Sequence, residues 1–187
     1  MTVTDKATAE LFTWAAKIIG NKGVKAKSYY NMFEVRNGYL YATDGYRGVK
    51  APIPAATEFA DGLYTLHKAT KDLVAFDFSP DDVQDYPDLD RLLSQMDDPS
   101  ITLCGDTYNL TSVQSVLALV TVATAVQGID SKKLYPGDTK YNEHLGTFPG
   151  FNQLTKVTTK SIGDPVMFHF YGGAQILIMP MSLKTRS

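Results

Sequence analysis

Only one cysteine, Cys104, occurs in 187 residues. A single thiol cannot close an internal disulfide, so the fold needs no oxidising compartment, and Cys104 reads as a small buried apolar residue in a strand. Histidine is scarce as well: His67, His144 and His169 stand far apart, with no H-x-x-x-H or H-E-x-x-H spacing and no cysteine pair to join them. No zinc site is expected from such a set. A G-x-S-x-G elbow and a P-loop are both missing, and Gly20 and Gly172-Gly173 are explained by a helix end and a turn. The sequence therefore predicts no catalytic residue, no metal and no cofactor, and points away from an enzyme.

Long apolar runs are absent too. The longest apolar-leaning stretch, residues 113–126, is interrupted by Gln114, Ser115, Thr121 and Thr124, and it falls short of the roughly 20 residues that span a bilayer. It reads as a core segment, with no membrane partner. Residues 1–10 are polar and mixed in charge, without the basic-then-apolar order of a signal peptide, so the expected location is the cytoplasm. With 44% hydrophobic residues the chain can bury one solid core or two small ones.

Charge of one sign is also lacking overall, since the net charge is −2, but its distribution is uneven. Residues 1–50 hold 8 Lys/Arg against 4 Asp/Glu, residues 51–100 hold 3 against 11, and residues 101–187 hold 7 against 5. A basic start and an acidic middle could place phosphate-attracting and phosphate-repelling surfaces on one molecule.

Leu11, Trp14, Ala15, Ile18 and Ile19 form the i, i+3, i+4, i+7, i+8 stripe of an amphipathic helix, which Gly20-Asn21 ends. Its opposite face carries Lys6, Glu10, Thr13 and Lys17, and the following loop adds Lys22, Lys25 and Lys27. Residues 29–36, 39–43 and 46–53 read as three strands in a meander, turned at Asn37-Gly38 and Asp44-Gly45, where both turn positions call for positive φ. Pro52 and Pro54 are expected to close that unit. A short strand over 62–66 and a helical turn over 68–74 follow.

Residues 77–98 contain eight aspartates. No D-x-D-x-D-G spacing with a closing glutamate is present, so the stretch reads as a solvated acidic linker of about 77–98 between a first half of about 1–80 and a second of about 99–187. The second half is expected to hold a strand over 100–103 and then residues 110–126, whose period favours a helix although their Val and Thr content would suit a strand. The outer face of that segment, Thr111, Ser115, Ala118 and Ala125, is small and uncharged. A Gly-, Pro-, Tyr- and Asn-rich excursion occupies 128–150. Residues 165–171 and 174–181 form a final apolar hairpin, so that helix followed by strands occurs twice, a weak internal repeat.

Several pieces together resemble the DNA polymerase sliding clamp superfamily of the bacterial β-clamp type. Phe33-Glu34-Val35-Arg36-Asn37-Gly38 followed by Ala42-Thr43-Asp44-Gly45-Tyr46-Arg47 is similar to the clamp strands with an A-T-D-G-H-R sequence. Tyr86-Pro87-Asp88-Leu89 resembles the F-P-[DN]-[YL] junction before a new clamp domain, and residues 101–119 resemble the strand and inner helix that open a half-domain. Pro165-Val166-Met167-Phe168 and Leu177-Ile178-Met179-Pro180-Met181-Ser182-Leu183 resemble the C-terminal hairpin and its V-M-P-M-R-L ending. Tyr46 stands where histidine is usual, Gly48 where leucine is usual and Ser182 where arginine is usual, and the chain is about half the length of a three-domain clamp subunit.

The resemblance implies an α+β, DNA-clamp-like fold: a single clamp-like domain of two helix-plus-antiparallel-sheet halves, with the helices packed on one face of the sheets. It implies a non-enzymatic, homo-oligomeric replication accessory protein, a processivity factor or polymerase-recruiting platform. Its partners would be duplex DNA, bound without sequence preference, and a DNA polymerase or other clamp-binding peptide. An apolar peptide pocket would draw on Thr43, Gly45, Tyr46, Arg47, Ile178, Met179, Pro180 and Met181, with methionine supplying an adaptable wall. Lys6, Lys17, Lys22, Lys25 and Lys27 would face DNA phosphates. Two other readings stand beside it: a clamp-fold interaction or decoy protein that binds clamp-binding peptides without sliding, and a viral structural or assembly component in a host cytoplasm. Taken singly, Asp44-Gly45 would simply turn a hairpin and Met-Pro-Met would simply end a strand.

Overall fold

Asp5 starts the first helix one turn earlier than the apolar stripe indicates. Its carboxylate accepts hydrogen bonds from the Thr8 backbone N–H at 2.8 Å and the Thr8 hydroxyl at 2.7 Å. This is an N-cap, and these two bonds hold the Asp5 carboxyl below its ordinary pKa. The computed structural model describes residues 2–3, 5–19, 31–45, 47–56, 59–70, 73–79, 86–96, 101–104, 147–149, 154–160 and 165–179. By contacts the chain divides into two units, Met1–Asp90 with Gly172–Ala174, and Arg91–Tyr171 with Gln175–Ser187.

The first unit contains β1 (Thr2–Val3), α1 (Lys6–Ile19), β2 (Met32–Arg36), β3 (Tyr39–Thr43), β4 (Arg47–Pro52), β5 (Gly62–Thr70) and β6 (Leu73–Ser79). Its strands run in the order β1-β6-β5-β2-β3-β4, each antiparallel to its neighbours. α1 buries Leu11, Phe12, Trp14, Ile18 and Ile19, at about 1.5–3 kcal/mol for each large side chain taken out of water. Phe12 is the centre of this core. Its ring lies 5.3 Å from Phe33, 5.1 Å from Phe59 and 4.8 Å from Phe76, so the helix rests on β2 and β6. The N-terminal end is tied down as well, because the buried Thr8 hydroxyl also accepts from the Ala55 N–H at 3.2 Å.

The Asn37-Gly38 hairpin forms as expected, with φ of 51° and 76°. The second turn differs: Gly45 has φ 82° but Asp44 does not join it, and both the backbone N–H and the side chain of Asp44 bond to Arg47 across the turn. Pro52 is the last residue of β4, opposite Tyr39, and so ends the meander along the chain as expected, while β5 pairs with β2. The helical turn expected over 68–74 is overturned, since β5 runs on to Thr70 and β6 begins at Leu73. A register shift between Leu66 and Lys68 explains the misreading: one extra residue, His67, breaks the period-2 alternation that would have marked a strand.

The expected acidic linker is also structured where it is described. β6 continues to Ser79, and a short helix α2 (Leu89–Ser94) lies inside the stretch with Leu89 and Leu93 buried.

In the second unit β7 (Ile101–Cys104), β8 (Leu154–Thr159), β9 (Val166–Phe170) and β10 (Gln175–Ile178) form an antiparallel run in the order β10-β9-β8-β7. The hairpin of β9 and β10 turns at Tyr171–Gly173, with φ of 80° and 90° at the two glycines. Leu93 and Met96 pack with Met167 and Leu177 in its core. β8 was not expected, although Leu154-Thr155-Lys156-Val157-Thr158-Thr159 is rich in β-branched residues. The helix expected over 110–126 and most of the 128–150 excursion lie outside the described residues.

Candidate functional site

The turn from β3 to β4 is built by its own side chains. The Thr43 hydroxyl donates to the Arg47 carbonyl at 2.7 Å and accepts from the Gly45 N–H at 3.0 Å, so both functions of this buried hydroxyl are used inside the turn. One oxygen of the Asp44 carboxylate accepts from the Arg47 N–H at 2.7 Å. The other accepts from the Arg47 guanidinium at 2.9 Å through Nε and 2.8 Å through Nη2. Asp44 is 1% and Arg47 7% exposed, so the ion pair is shielded from solvent. Nη2 also donates to the Lys17 carbonyl in the last turn of α1, at 3.4 Å.

Thr43, Gly45 and Arg47 are thus brought together in one turn of the first unit, with Gly45 exposed. Ile178 and Met179 belong to the second unit, where Ile178 is buried at the end of β10 and Met179, just beyond it, is 36% exposed. Tyr46, Pro180 and Met181 lie outside the described residues. On α1 the Lys6 and Lys17 side chains are exposed, with the Lys6 Nζ 4.0 Å from Glu10. Lys22, Lys25 and Lys27 lie outside the described residues.

A charged network on strands β2, β3 and β4 of the first unit was not anticipated. Asp90 accepts from the Tyr41 hydroxyl at 2.9 Å and from Lys50 Nζ at 2.8 Å, and the Arg36 guanidinium lies 3.5 Å away. Glu34, Tyr41 and Lys50 sit side by side across β2, β3 and β4. Arg36 lies over the Tyr41 ring, its guanidinium carbon 5.0 Å from the centroid, and Lys50 Nζ is 4.8 Å from that of Tyr39. Tyr86, from the Y-P-D-L segment, donates its hydroxyl to the Tyr41 carbonyl at 3.0 Å.

The network sets its own protonation. Burial pushes the Asp90 carboxyl upward, but hydrogen bonds from Lys50 and Tyr41, with the nearby cations, outweigh it and leave the pKa below its ordinary value. Lys50 is raised: burial acts downward, and the bond to Asp90 together with the interactions with Tyr41 outweighs it. Tyr41 is raised by burial and then by its bond to Asp90. Glu34 is raised chiefly by burial, against the pull of Arg36.

His67 and Asp77 form an exposed pair at 2.6 Å, while the His169 ring meets the Thr158 hydroxyl at 2.9 Å. Among the described residues no three His, Cys, Asp or Glu are grouped to hold a metal ion, and no helix is long and apolar enough to cross a membrane.

This architecture is similar to that of a putative DNA polymerase III beta subunit from Eubacterium rectale, at a TM-score of 0.52 and 12% identity over 99% of this chain. The chain has a sliding-clamp fold. A DNA polymerase sliding clamp from Pseudomonas aeruginosa is similar at 16% identity and a TM-score of 0.48, over 98% of this chain. The DNA polymerase III beta subunit of Thermotoga maritima is similar at 14% identity and a TM-score of 0.40. This clamp-fold chain spans 66% of the Eubacterium and Pseudomonas chains, just under two thirds of their length. No protein-family model matches the sequence, and no curated protein does.

Proposed function

We propose that this clamp-fold chain is a non-enzymatic DNA replication accessory protein, a processivity factor or polymerase-recruiting platform, that works as a homo-oligomer on duplex DNA in the cytoplasm. The observation that carries the reading is the clamp fold in a chain that also contains Ala42-Thr43-Asp44-Gly45-Tyr46-Arg47 and Met179-Pro180-Met181-Ser182-Leu183. Ile178, Met179, Pro180 and Met181, with Thr43, Gly45, Tyr46 and Arg47, serve an apolar peptide of the polymerase. Support for this comes from the exposure of Met179 directly after a buried strand, a place where a flexible thioether can adapt to a partner's side chains. Lys6, Lys17, Lys22, Lys25 and Lys27 meet phosphates, an attraction that ignores base sequence and therefore permits sliding.

Native mass spectrometry combined with binding to nicked circular and linear DNA tests the ring. Oligomers that stay on closed circles and run off linear ends are expected. A strict monomer without preference for circles refutes the claim.

One observation favours a second reading, a clamp-fold protein that competes for clamp-binding peptides without sliding. On α1 Glu10 stands between Lys6 and Lys17, so that face offers phosphates little net positive charge. This reading predicts that Met179→Ala/Met181→Ala abolishes capture of a polymerase-derived peptide while DNA affinity is negligible at every salt concentration. Tight, salt-dependent DNA binding overturns it.

A further inference from the structure

We propose that Asp90 is a releasable latch, which fastens the start of α2 to the face of β2, β3 and β4 that α1 does not cover, and that both cations holding it keep a second partner on the sheet when it lets go. The proposal goes beyond the clamp reading and depends on neither DNA nor peptide binding. Phe33, next to Glu34 in β2, packs against Phe12 of α1, so by the alternation of a strand Glu34 and its neighbours Tyr41 and Lys50 lie on the other face. Every member of the network belongs to the first unit, which ends at Asp90. That division falls inside α2, whose Leu93 packs with Met96, Met167 and Leu177 in the core of the second unit. The latch is placed where the chain leaves the first unit.

The distances separate firm contacts from exchangeable ones. Asp90 accepts from Lys50 Nζ at 2.8 Å and from the Tyr41 hydroxyl at 2.9 Å, whereas Arg36 Nη2 is shared, 3.5 Å from Asp90, 3.5 Å from Glu34 and 4.0 Å from Asp88. Among the described residues its Nε is buried without a hydrogen-bond partner. A guanidinium placed this way makes no two-pronged bond with any one carboxylate, and when Asp90 leaves it closes on Glu34. Lys50 likewise stays over the rings of Tyr39 and Tyr41, 4.8 and 5.6 Å from their centroids, where the ring faces attract a cation. The Tyr41 hydroxyl meets water once the segment above it lifts. Opening therefore strands no buried charge, the penalty that holds most interior ion pairs shut. Leu89, 3% exposed, is the apolar contact that keeps the closed form the resting one.

The test is hydrogen exchange of the full chain, read by mass spectrometry on peptides covering residues 89–96, with α1 as the reference. In the wild type, raising the salt from about 0.1 M to about 1 M cuts the Debye length from roughly 10 to 3 Å, which should speed exchange over 89–96 and leave α1 unchanged. Asp90→Asn keeps an acceptor for Tyr41 but loses the charge, so it should speed that exchange about twofold to fivefold and reduce its response to salt. Glu34→Gln removes the charged partner to which Arg36 turns in the open form. It should slow exchange over 89–96, and the slowing should disappear in Asp90→Asn/Glu34→Gln. A purely structural network predicts no such slowing. A Glu34→Gln variant no slower than wild type overturns the proposal, as does exchange over 89–96 that follows α1 in every variant. Should a variant lose the folded emission of Trp14, the wild-type salt series decides alone, and salt-independent exchange over 89–96 overturns the latch.

Discussion

Asp90→Ala is expected to destabilise the first unit by about 2–3 kcal/mol, and the figure follows from what the carboxylate holds. The Tyr41 hydroxyl, on a residue 1% exposed, donates to Asp90 at 2.9 Å. Leaving a buried hydroxyl without its acceptor costs about 1–3 kcal/mol. The ion pair with Lys50 at 2.8 Å adds less, because the Asp90 side chain is 38% exposed, and partly solvated pairs contribute about 0–1 kcal/mol. Asp90→Asn keeps a carbonyl oxygen for Tyr41 and loses only the charge, so it should cost about 0.5–1 kcal/mol.

Urea unfolding followed by Trp14 fluorescence is the assay. This is the sole tryptophan, it is 4% exposed, and it belongs to the first unit. The pH dependence supplies a second check. Because the folded pKa of Asp90 is depressed, its charge-dependent stabilisation is complete above the unfolded value of about 3.9 and is lost as pH falls toward the folded one. The gap between wild type and Asp90→Asn should therefore be full at pH 6 and narrow below about pH 4. Equal stability of the Ala variant and wild type refutes the reasoning; so does an Asn variant as unstable as the Ala variant.

Glu34→Gln has the opposite sign. The folded pKa of Glu34 is raised, so its ionisation opposes folding, and at pH 7 the variant should be as stable as wild type or slightly more so in urea titrations, with any advantage shrinking as pH falls through the folded pKa and gone below the unfolded value of about 4.3. Phe12→Ala removes a ring that contacts Phe33, Phe59 and Phe76, and should cost about 3–5 kcal/mol by the same fluorescence assay. Leu177→Ala should cost about 2–5 kcal/mol, since Leu177 is 3% exposed, whereas Met179→Ala should change thermal stability by under about 0.5 kcal/mol. A large loss from the Met179 variant would place that side chain in the core instead of on a binding surface.

Local patterns were readable in the amino acids alone. The stripe from Leu11 to Ile19 became the buried face of α1, and Asn37-Gly38 became a hairpin with both residues at positive φ. Each signal is carried within a few residues by helix period or turn sterics, so no distant partner is needed to read it. The motif pair pointed to the clamp fold for a related reason: a short run of turn and strand residues keeps its spacing wherever its backbone geometry is required. Asp44 and Arg47, three positions apart, were also within reach as a pair, yet their burial was not. Sequence distance does not reveal which face of a turn is covered.

Tertiary structure alone decided the rest. His67 as an inserted residue hid the alternation of β5 and made a hairpin look like a helical turn. Asp90 reads as one more charge in an acidic stretch until the chain brings it to Tyr41 and Lys50, 49 and 40 residues away. Arg47 reads as one more cation in a motif, and only the fold shows it 7% exposed and bonded to Asp44. Periodicity and turn chemistry are properties of neighbours along the chain, whereas burial, ion pairing and shifted protonation depend on which segments meet in space, and that is settled only on folding.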